Sequence, residues 1–520
     1  MPSATSSSGS LAPAAERVSG VLLHPTSLPG RFGIGSLGDE ALRFADFLAS
    51  AGQRLWQVLP LVPTGYGDSP YQGLGAFAGN PLLVDPEELR RDGMLDASDL
   101  EAAPAFEEGA VDYAAVIAWK GALLRRASAR FHARAAAGDR LSLEAFSERH
   151  ASWLGDFALF QALKERHGGL AWPRWPAPLA RRDGEALRKA RAELADEIRA
   201  QIFCQWAFFR QWARLREHCR SRGIRLMGDL PIYVAHDSAE VWARPELYHL
   251  DARGEPTVVA GVPPDYFSAT GQRWGNPLYR WEALRETGYA FWIERTRSAL
   301  ELFDLVRLDH FRGFEAYWEV EAGEPSAVRG RWVPGPGAEL FDALQAALGT
   351  LPIVAENLGV ITPEVETLRR RYGFPGMAIL QFAFGNDPQA PTFLPHNYSR
   401  DLVAYTGTHD NDTVLGWWTG EGPGVSTRTR EDVRRERDRA RRYLAAGGEE
   451  MNWVFIRAVL ASVASTAVFP LQDLLGLGSE ARMNRPSLPT GNWRWRLRPG
   501  LLDARLTARL ADLTVLYGRA

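Results

Sequence analysis

Four acidic side chains, Asp229, Asp309, Glu356 and Asp410, each come close behind a short, continuously apolar run of this sequence. A carboxylate in that place is costly unless it is paired or used, because the run before it is bound for the interior. One such acid reads as a helix cap or a salt-bridge partner. Four brought to one place would crowd like charges, and crowding raises the proton affinity of some of them. That suits chemistry in which a carboxylate and a carboxylic acid work side by side. Cleavage at the anomeric carbon of a sugar with retention is of this kind: one carboxylate attacks while a second carboxyl, about 5–5.5 Å away, protonates the departing oxygen. The local sequence divides the roles. Arg307 precedes Asp309 by two residues, a spacing that puts both on one face of a strand. Asp309 is therefore the candidate nucleophile, with Arg307 as the cation that fixes it. Glu356 follows Ile353-Val354-Ala355 with no cation within two residues, which suits a carboxyl of raised pKa and makes it the candidate general acid/base. Asp410, beside His409, is left to hold sugar hydroxyls and to face positive charge at the transition state. His310 turns to the opposite face from Asp309 and reads as structural.

Eight apolar runs could position these groups. They start at Val21, Leu55, Gly223, Leu302, Leu351, Gly376, Asp401 and Ser465. Their cores are continuously apolar rather than alternating, as in parallel strands buried on both faces. Amphipathic helical stretches lie between many of them, for example 39–51, 208–222 and 362–371. The alternation predicts an α/β protein, a (β/α)8 TIM barrel whose site residues come from the C-terminal ends of different strands. Asp229 then belongs to the third strand, Arg307 and Asp309 to the fourth, Glu356 to the fifth, and His409 and Asp410 to the seventh. Two segments break the rhythm. Residues 86–200 are Ala-, Arg- and Glu-rich and predict a large helical insertion after strand 2. Residues 258–279 are too rich in Gly and Pro for helix or strand, which predicts a long loop after strand 3, a candidate lid. Nothing after the eighth strand is long enough for a C-terminal β domain. The domain reading is a disordered N-terminal tail over 1–16 and a catalytic barrel over 17–520, interrupted by the 86–200 insertion.

Composition narrows the partner. A net charge of −3 over 520 residues gives no electrostatic case for nucleic acid or an anionic membrane. No run of about 18 apolar residues is present, and the N-terminus lacks the cationic start and apolar core of a secretory signal. Cys204 and Cys219 fit neither a metal motif nor a disulfide framework, so free thiols in a cytoplasmic protein are expected. No acidic calcium-type loop is visible, and no metal or cofactor is expected. The 18 Trp and 14 Tyr accompany 49 Gly and 33 Pro, and aromatic rings in Gly/Pro-rich surface loops suit the flat faces of sugars.

The segments RLDHFRG, AENLG and GTHDND resemble, in order, the strand-four, -five and -seven motifs of the α-amylase clan. With GDLPIYV, GDSPYQ, GVPPDYFSATGQRWGNPLY and SEARMNRPS, the resemblance narrows to the 4-α-glucanotransferases of glycoside hydrolase family 77 and runs from about residue 20 to 497. It implies Asp309 as nucleophile, Glu356 as acid/base and Asp410 as transition-state stabiliser. It implies further that Tyr71 stacks on the sugar at the cleavage point while Asp229, Arg307 and His409 hydrogen-bond around it, that Ser69 is among the substrate-binding residues, and that Tyr266, Phe267 and Trp274 form an acceptor-side loop. Asn484 would stand on the opposite wall and Tyr66 in a second, outlying glucan groove. The implied partners are α-1,4-glucans, with glucose as a possible acceptor; the oligomeric state stays open, a monomer being compatible. Two positions depart from the family: Asn357, where members commonly carry Asp, and Ala269, where some carry Glu. The carboxylates alone leave a hydrolase of the same clan standing as an alternative; the presence of all three argues against the other, a non-catalytic glucan-binding protein.

Overall fold

In the computed structural model, residues 16–264, 268, 270–420, 429–447, 450–486 and 488–520 are described. Twelve strands occur among them: β1 (Val18–Leu22), β2 (Leu55–Gln57), β3 (Arg225–Leu230), β4 (Val258–Val262), β5 (Gln272–Pro277), β6 (Leu305–Leu308), β7 (Ala316–Glu321), β8 (Arg331–Pro334), β9 (Ile353–Ala355), β10 (Gly376–Ile379), β11 (Leu402–Tyr405) and β12 (Thr466–Pro470). Eight of them, the eight apolar runs of the sequence, make one parallel sheet in the order β10-β11-β12-β1-β2-β3-β6-β9. The sheet curls round until β9 meets β10, where the Ala355 N–H donates to Pro375 O at 2.8 Å. The result is a (β/α)8 barrel.

The continuous apolar runs have a physical explanation in two separate cores. Leu22, Leu55, Met227, Val354, Val403 and Val468 point inward and fill the barrel with Tyr405 and Met377. Their strand neighbours Val21, Trp56, Leu226, Ile353, Ala404 and Ala467 point outward, against the surrounding helices. Alternate residues thus meet different apolar surroundings, and no polar face is left to alternate.

Between β2 and β3 the chain is helical, including Tyr113–Arg134, Ala137–Arg149 and Leu154–Arg166. The last helix of that stretch, Ala195–Ser221, runs well past residue 200 and packs against Asp39–Ser50 and Ala290–Leu302. Its second half therefore covers the barrel wall.

The stretch 258–279 differs from expectation. It is no plain loop: β4 and β5 pair antiparallel and join β7 and β8 in a four-stranded sheet of order β5-β4-β7-β8. Its glycines serve close approach. A Cβ on Gly261 would lie 2.5 Å from Gln272 O, and Gly271 takes φ +65° between the two strands. Composition alone reads such glycines as strand breakers. The expected tail at 1–16 falls, but for residue 16, outside the described residues.

At the N-terminal end of the barrel the last residues of the chain return to its first strand. Arg519, fully buried, donates to the carbonyls of Val18, Leu460, Ser462, Ala464 and Ser465 at 2.7–3.3 Å. Arg17 donates to Tyr517 O, Leu460 O and Ser462 O beside it. Among the described residues no helix is long and apolar enough to cross a membrane.

Candidate active site

Strand β6 delivers two charged groups to the opposite, C-terminal end. Arg307 lies within the strand and Asp309 one residue past it, and Arg307 Nη1 stands 2.8 Å from Asp309 Oδ1. The parallel register sets Arg307 beside Asp229 of β3, and the same Nη1 donates to both Asp229 oxygens at 2.9 and 2.7 Å. Arg307 and Asp229 are buried, while the Asp309 side chain keeps 26% of its surface open. One cation thus serves two carboxylates. Burial works against the Arg307 charge, but Asp229 and Asp309 outweigh it and hold its pKa well above the ordinary guanidinium value. Burial pushes the Asp229 carboxyl up to about 7, with Arg307 opposing and Asp309 adding.

Glu356 follows β9 directly and is buried. It has no ion-pair partner among the described residues; its Oε2 accepts the His310 N–H at 2.7 Å and its Oε1 the Leu358 N–H at 2.9 Å. Burial pushes it up to about 7, with Arg307 pulling down and Asp309 pushing up. A carboxyl in this state keeps its proton in a share of the molecules at neutral pH, and the two amides fix its orientation. The His310 amide can reach it because His310 leaves the strand with φ 50°, ψ 50°, which also puts its ring edge-on to Trp274 at 4.8 Å. It is thus the His310 amide, not its ring, that meets Glu356.

His409 and Asp410 stand on the loop after β11. Asp410 Oδ1 accepts from Asn484 Nδ2 at 2.6 Å and lies 3.4 Å from His409 Nε2. The Asn484 N–H donates to His409 O at 3.1 Å. Arg482 donates to Asp410 O at 2.6 Å and to Asn484 O at 2.7 Å, so one guanidinium holds both backbone segments together. Burial lowers the His409 pKa despite the pull of Asp410, and its ring lies nearly parallel to Tyr71 at 5.1 Å. The Tyr71 hydroxyl donates to Asp229 Oδ2 at 2.9 Å. Ser69 acts on Tyr71: its hydroxyl accepts the Tyr71 N–H at 3.2 Å and caps the turn Pro70–Gln72. The acids and their partners therefore form one connected cluster, from Asn484 through Asp410, His409, Tyr71, Asp229 and Arg307 to Asp309, with Glu356 beside it.

The β4–β5 hairpin borders this cluster. Gln72 Nε2 donates to Asn276 Oδ1 at 2.9 Å, and Asn276 Nδ2 to Val234 O at 2.9 Å, which ties β5 to the loops after β2 and β3. Tyr266, Phe267 and Ala269 lie outside the described residues. Tyr66 is 76% exposed and stands apart from these contacts. Among the described residues no group of three or more His, Cys, Asp or Glu is placed to hold a metal ion.

The model of the 4-alpha-glucanotransferase family matches residues 23–503. The chain belongs to that family. It is 55% identical over 502 residues to the 4-alpha-glucanotransferase of Thermus thermophilus, an alignment covering 95% of this chain and 97% of that one. To the 4-alpha-glucanotransferase of Synechocystis it is 50% identical, covering 97% and 98%. Among solved structures it resembles the amylomaltase of Streptococcus agalactiae in complex with acarbose, with a TM-score of 0.91, 39% identity, and coverage of 97% of this chain and all of that one. The chain is thus an enzyme of the 4-alpha-glucanotransferase type on a TIM barrel.

Sequence reasoning passed over several groups that this 4-alpha-glucanotransferase brings to the site: the His310 and Leu358 amides, Gln72, Asn276 and Arg482. Backbone amides carry no residue-type signal. Arg482 lay within SEARMNRPS, a segment the sequence offered for Asn484 alone.

Proposed function

We propose that this enzyme moves α-1,4-glucan segments from a donor maltodextrin to the 4-hydroxyl of an acceptor glucan or glucose by retaining double displacement. Asp309 attacks the anomeric carbon as Glu356 gives its proton to the departing glycosidic oxygen, and the shortened glucan leaves with a new 4-hydroxyl. The Asp309 ester of the donor segment remains. Glu356, now ionised, takes the proton of an acceptor 4-hydroxyl, whose oxygen displaces Asp309. Asp410 faces the positive charge that develops on the sugar in both steps, while Asp229, Arg307, His409 and Tyr71 hold the ring. A donor whose own far end serves as acceptor closes into a cyclic glucan. Trp274 and the hairpin it belongs to would hold the acceptor sugar, and the cytoplasm would be the setting, in keeping with two buried free thiols pushed up to about 12 by burial.

One observation carries the assignment: Asp309 and Glu356, at the ends of the neighbouring strands β6 and β9, are treated oppositely. Asp309 receives a cation at 2.8 Å, as an attacking anion requires, and among the described residues Glu356 receives hydrogen bonds from two amides and a raised pKa, as an acid requires. Incubation with maltotriose tests transfer against hydrolysis. A ladder of oligomers longer than three glucoses, with free glucose, is the expected result; products no longer than the substrate would sink the proposal.

A further inference from the structure

The loop 406–414 that carries His409 and Asp410 is closed from behind by one buried acid. Asp473 lies in the short helix Leu471–Leu474, just after β12, and is 1% exposed. Its Oδ2 accepts the Thr406 hydroxyl at 2.6 Å and its Oδ1 accepts the Val414 N–H at 2.7 Å. Thr406 is the first residue after β11, and Val414 opens the helix Val414–Thr419. The two donors stand at the two ends of the loop, and the acid bridges them. Asp473 is held in turn by Asn452 Nδ2, which donates to its carbonyl at 2.9 Å. Among the described residues no cation faces the carboxyl. Burial pushes it up to about 6, with Thr406 and Val414 pulling down and Asp412 pushing up. A buried acid without a counter-charge is expensive, and an apolar residue would fill the space at lower cost. The geometry gives the acid a use, since two acceptors on one rigid group fix the distance between the loop's ends.

We propose that Asp473 is a positioning residue for Asp410 and His409: by tying Thr406 to Val414 it sets the reach of the loop that presents the transition-state carboxylate. The inference rests on the reading of Asp410 as that carboxylate. Other ties act on the loop's middle, such as Ser479 on Asp412 at 2.7 Å and Gln381 on the Asp412 carbonyl at 2.9 Å. They fix its lateral position but not the span between its ends.

Maltotriose disproportionation by Asp473→Ala, Asp473→Asn, Thr406→Val and Asp410→Asn tests this, with thermal unfolding followed on each. Asp473→Ala loses kcat by about 10²-fold, the scale of roughly 1 Å misplacement, while KM stays within about threefold. Asp473→Asn keeps an acceptor for Val414 and a partner for Thr406, and it recovers at least about tenfold of that loss. A merely structural acid would lower the melting temperature and leave kcat of the folded enzyme within about threefold of wild type, which would overturn the proposal. Should Asp473→Ala not fold, Thr406→Val removes one tie at nearly constant volume and is expected to lower kcat by about tenfold; an unchanged kcat there also overturns it. An active Asp410→Asn would overthrow the assignment of Asp410 itself, whereas an inactive Asp410→Asn beside an unimpaired Asp473→Ala rejects only the positioning role.

Discussion

The two ends of the barrel each bury an arginine, and use it in opposite ways. Among the described residues Arg519, at the N-terminal end, meets neutral carbonyls and the nearby cation Arg17, and burial pulls its pKa down to about 10. Arg307 at the C-terminal end meets two carboxylates, which hold its pKa well above the ordinary value in spite of burial. The first gathers chain ends through the fixed fork of donors that a guanidinium offers. The second keeps acids together that would otherwise repel. One residue type thus closes the fold at one end and holds a reactive charge cluster at the other.

The sharpest way to break this contrast is Asp309→Asn, which removes the group held by Arg307 without changing its size. Turnover of maltotriose falls by at least about 10³-fold, while glucan binding measured by calorimetry persists. Next comes the paired exchange of the two arginines. Arg307→Lys keeps a charge but loses the fork, and kcat falls by about 10²-fold with the fold intact. Arg519→Ala leaves several buried carbonyls unsatisfied, costs about 3 kcal/mol in urea denaturation, and leaves kcat of the folded enzyme unchanged. Equal effects of the two exchanges on kcat would erase the distinction. The pH profile is a smaller lever. Glu356 acts as an acid with a pKa near 7, so kcat/KM falls about tenfold per pH unit above that value. Stability has the same sign. Glu356 and Asp229 bind protons more tightly folded than unfolded, so their contribution is complete below about pH 4 and is lost as pH rises through about 7. The smallest effect tests an added acid beside Glu366, which Arg369 holds at 2.9 Å. Asn357 donates to Glu366 at 2.7 Å, and Asn357→Asp sets a carboxylate against it, costing about 1 kcal/mol at neutral pH and less below pH 4 by denaturant titration.

What the sequence revealed follows from how far each signal reaches. The barrel was legible because strand and helix periods are local and repeat eight times. Arg307 with Asp309 was legible because residues two apart on a strand share a face. The low-cation setting of Glu356 was legible in its apolar approach. The hairpin of β4 and β5 was not, because a glycine that leaves no room for a Cβ beside the neighbouring strand looks like a glycine that breaks a strand. Nor was the left-handed backbone of His310, which brings its amide to Glu356. Asp473 and Arg482 act on residues some 60 to 70 positions earlier, and only the closed barrel brings them there. Ser69 belonged to a recognised segment, but that its hydroxyl oxygen caps the turn at Tyr71 showed only in the structure.

The meeting of β9 and β10 is bound more lightly than the other joints of the barrel. Among the described residues it has the Ala355–Pro375 backbone bond and the Asn357 side chain, whose Oδ1 accepts the Met377 N–H at 2.8 Å, where the other neighbours share a ladder. Amide hydrogen exchange should therefore open there before it opens elsewhere in the barrel wall. The strand that loosens first also carries Glu356. On heating, the proton donor would lose its alignment while most of the barrel still stands, and activity would fade ahead of global melting. The working ceiling of this enzyme would then be set by one thinly stitched seam, whatever the strength of the remaining wall.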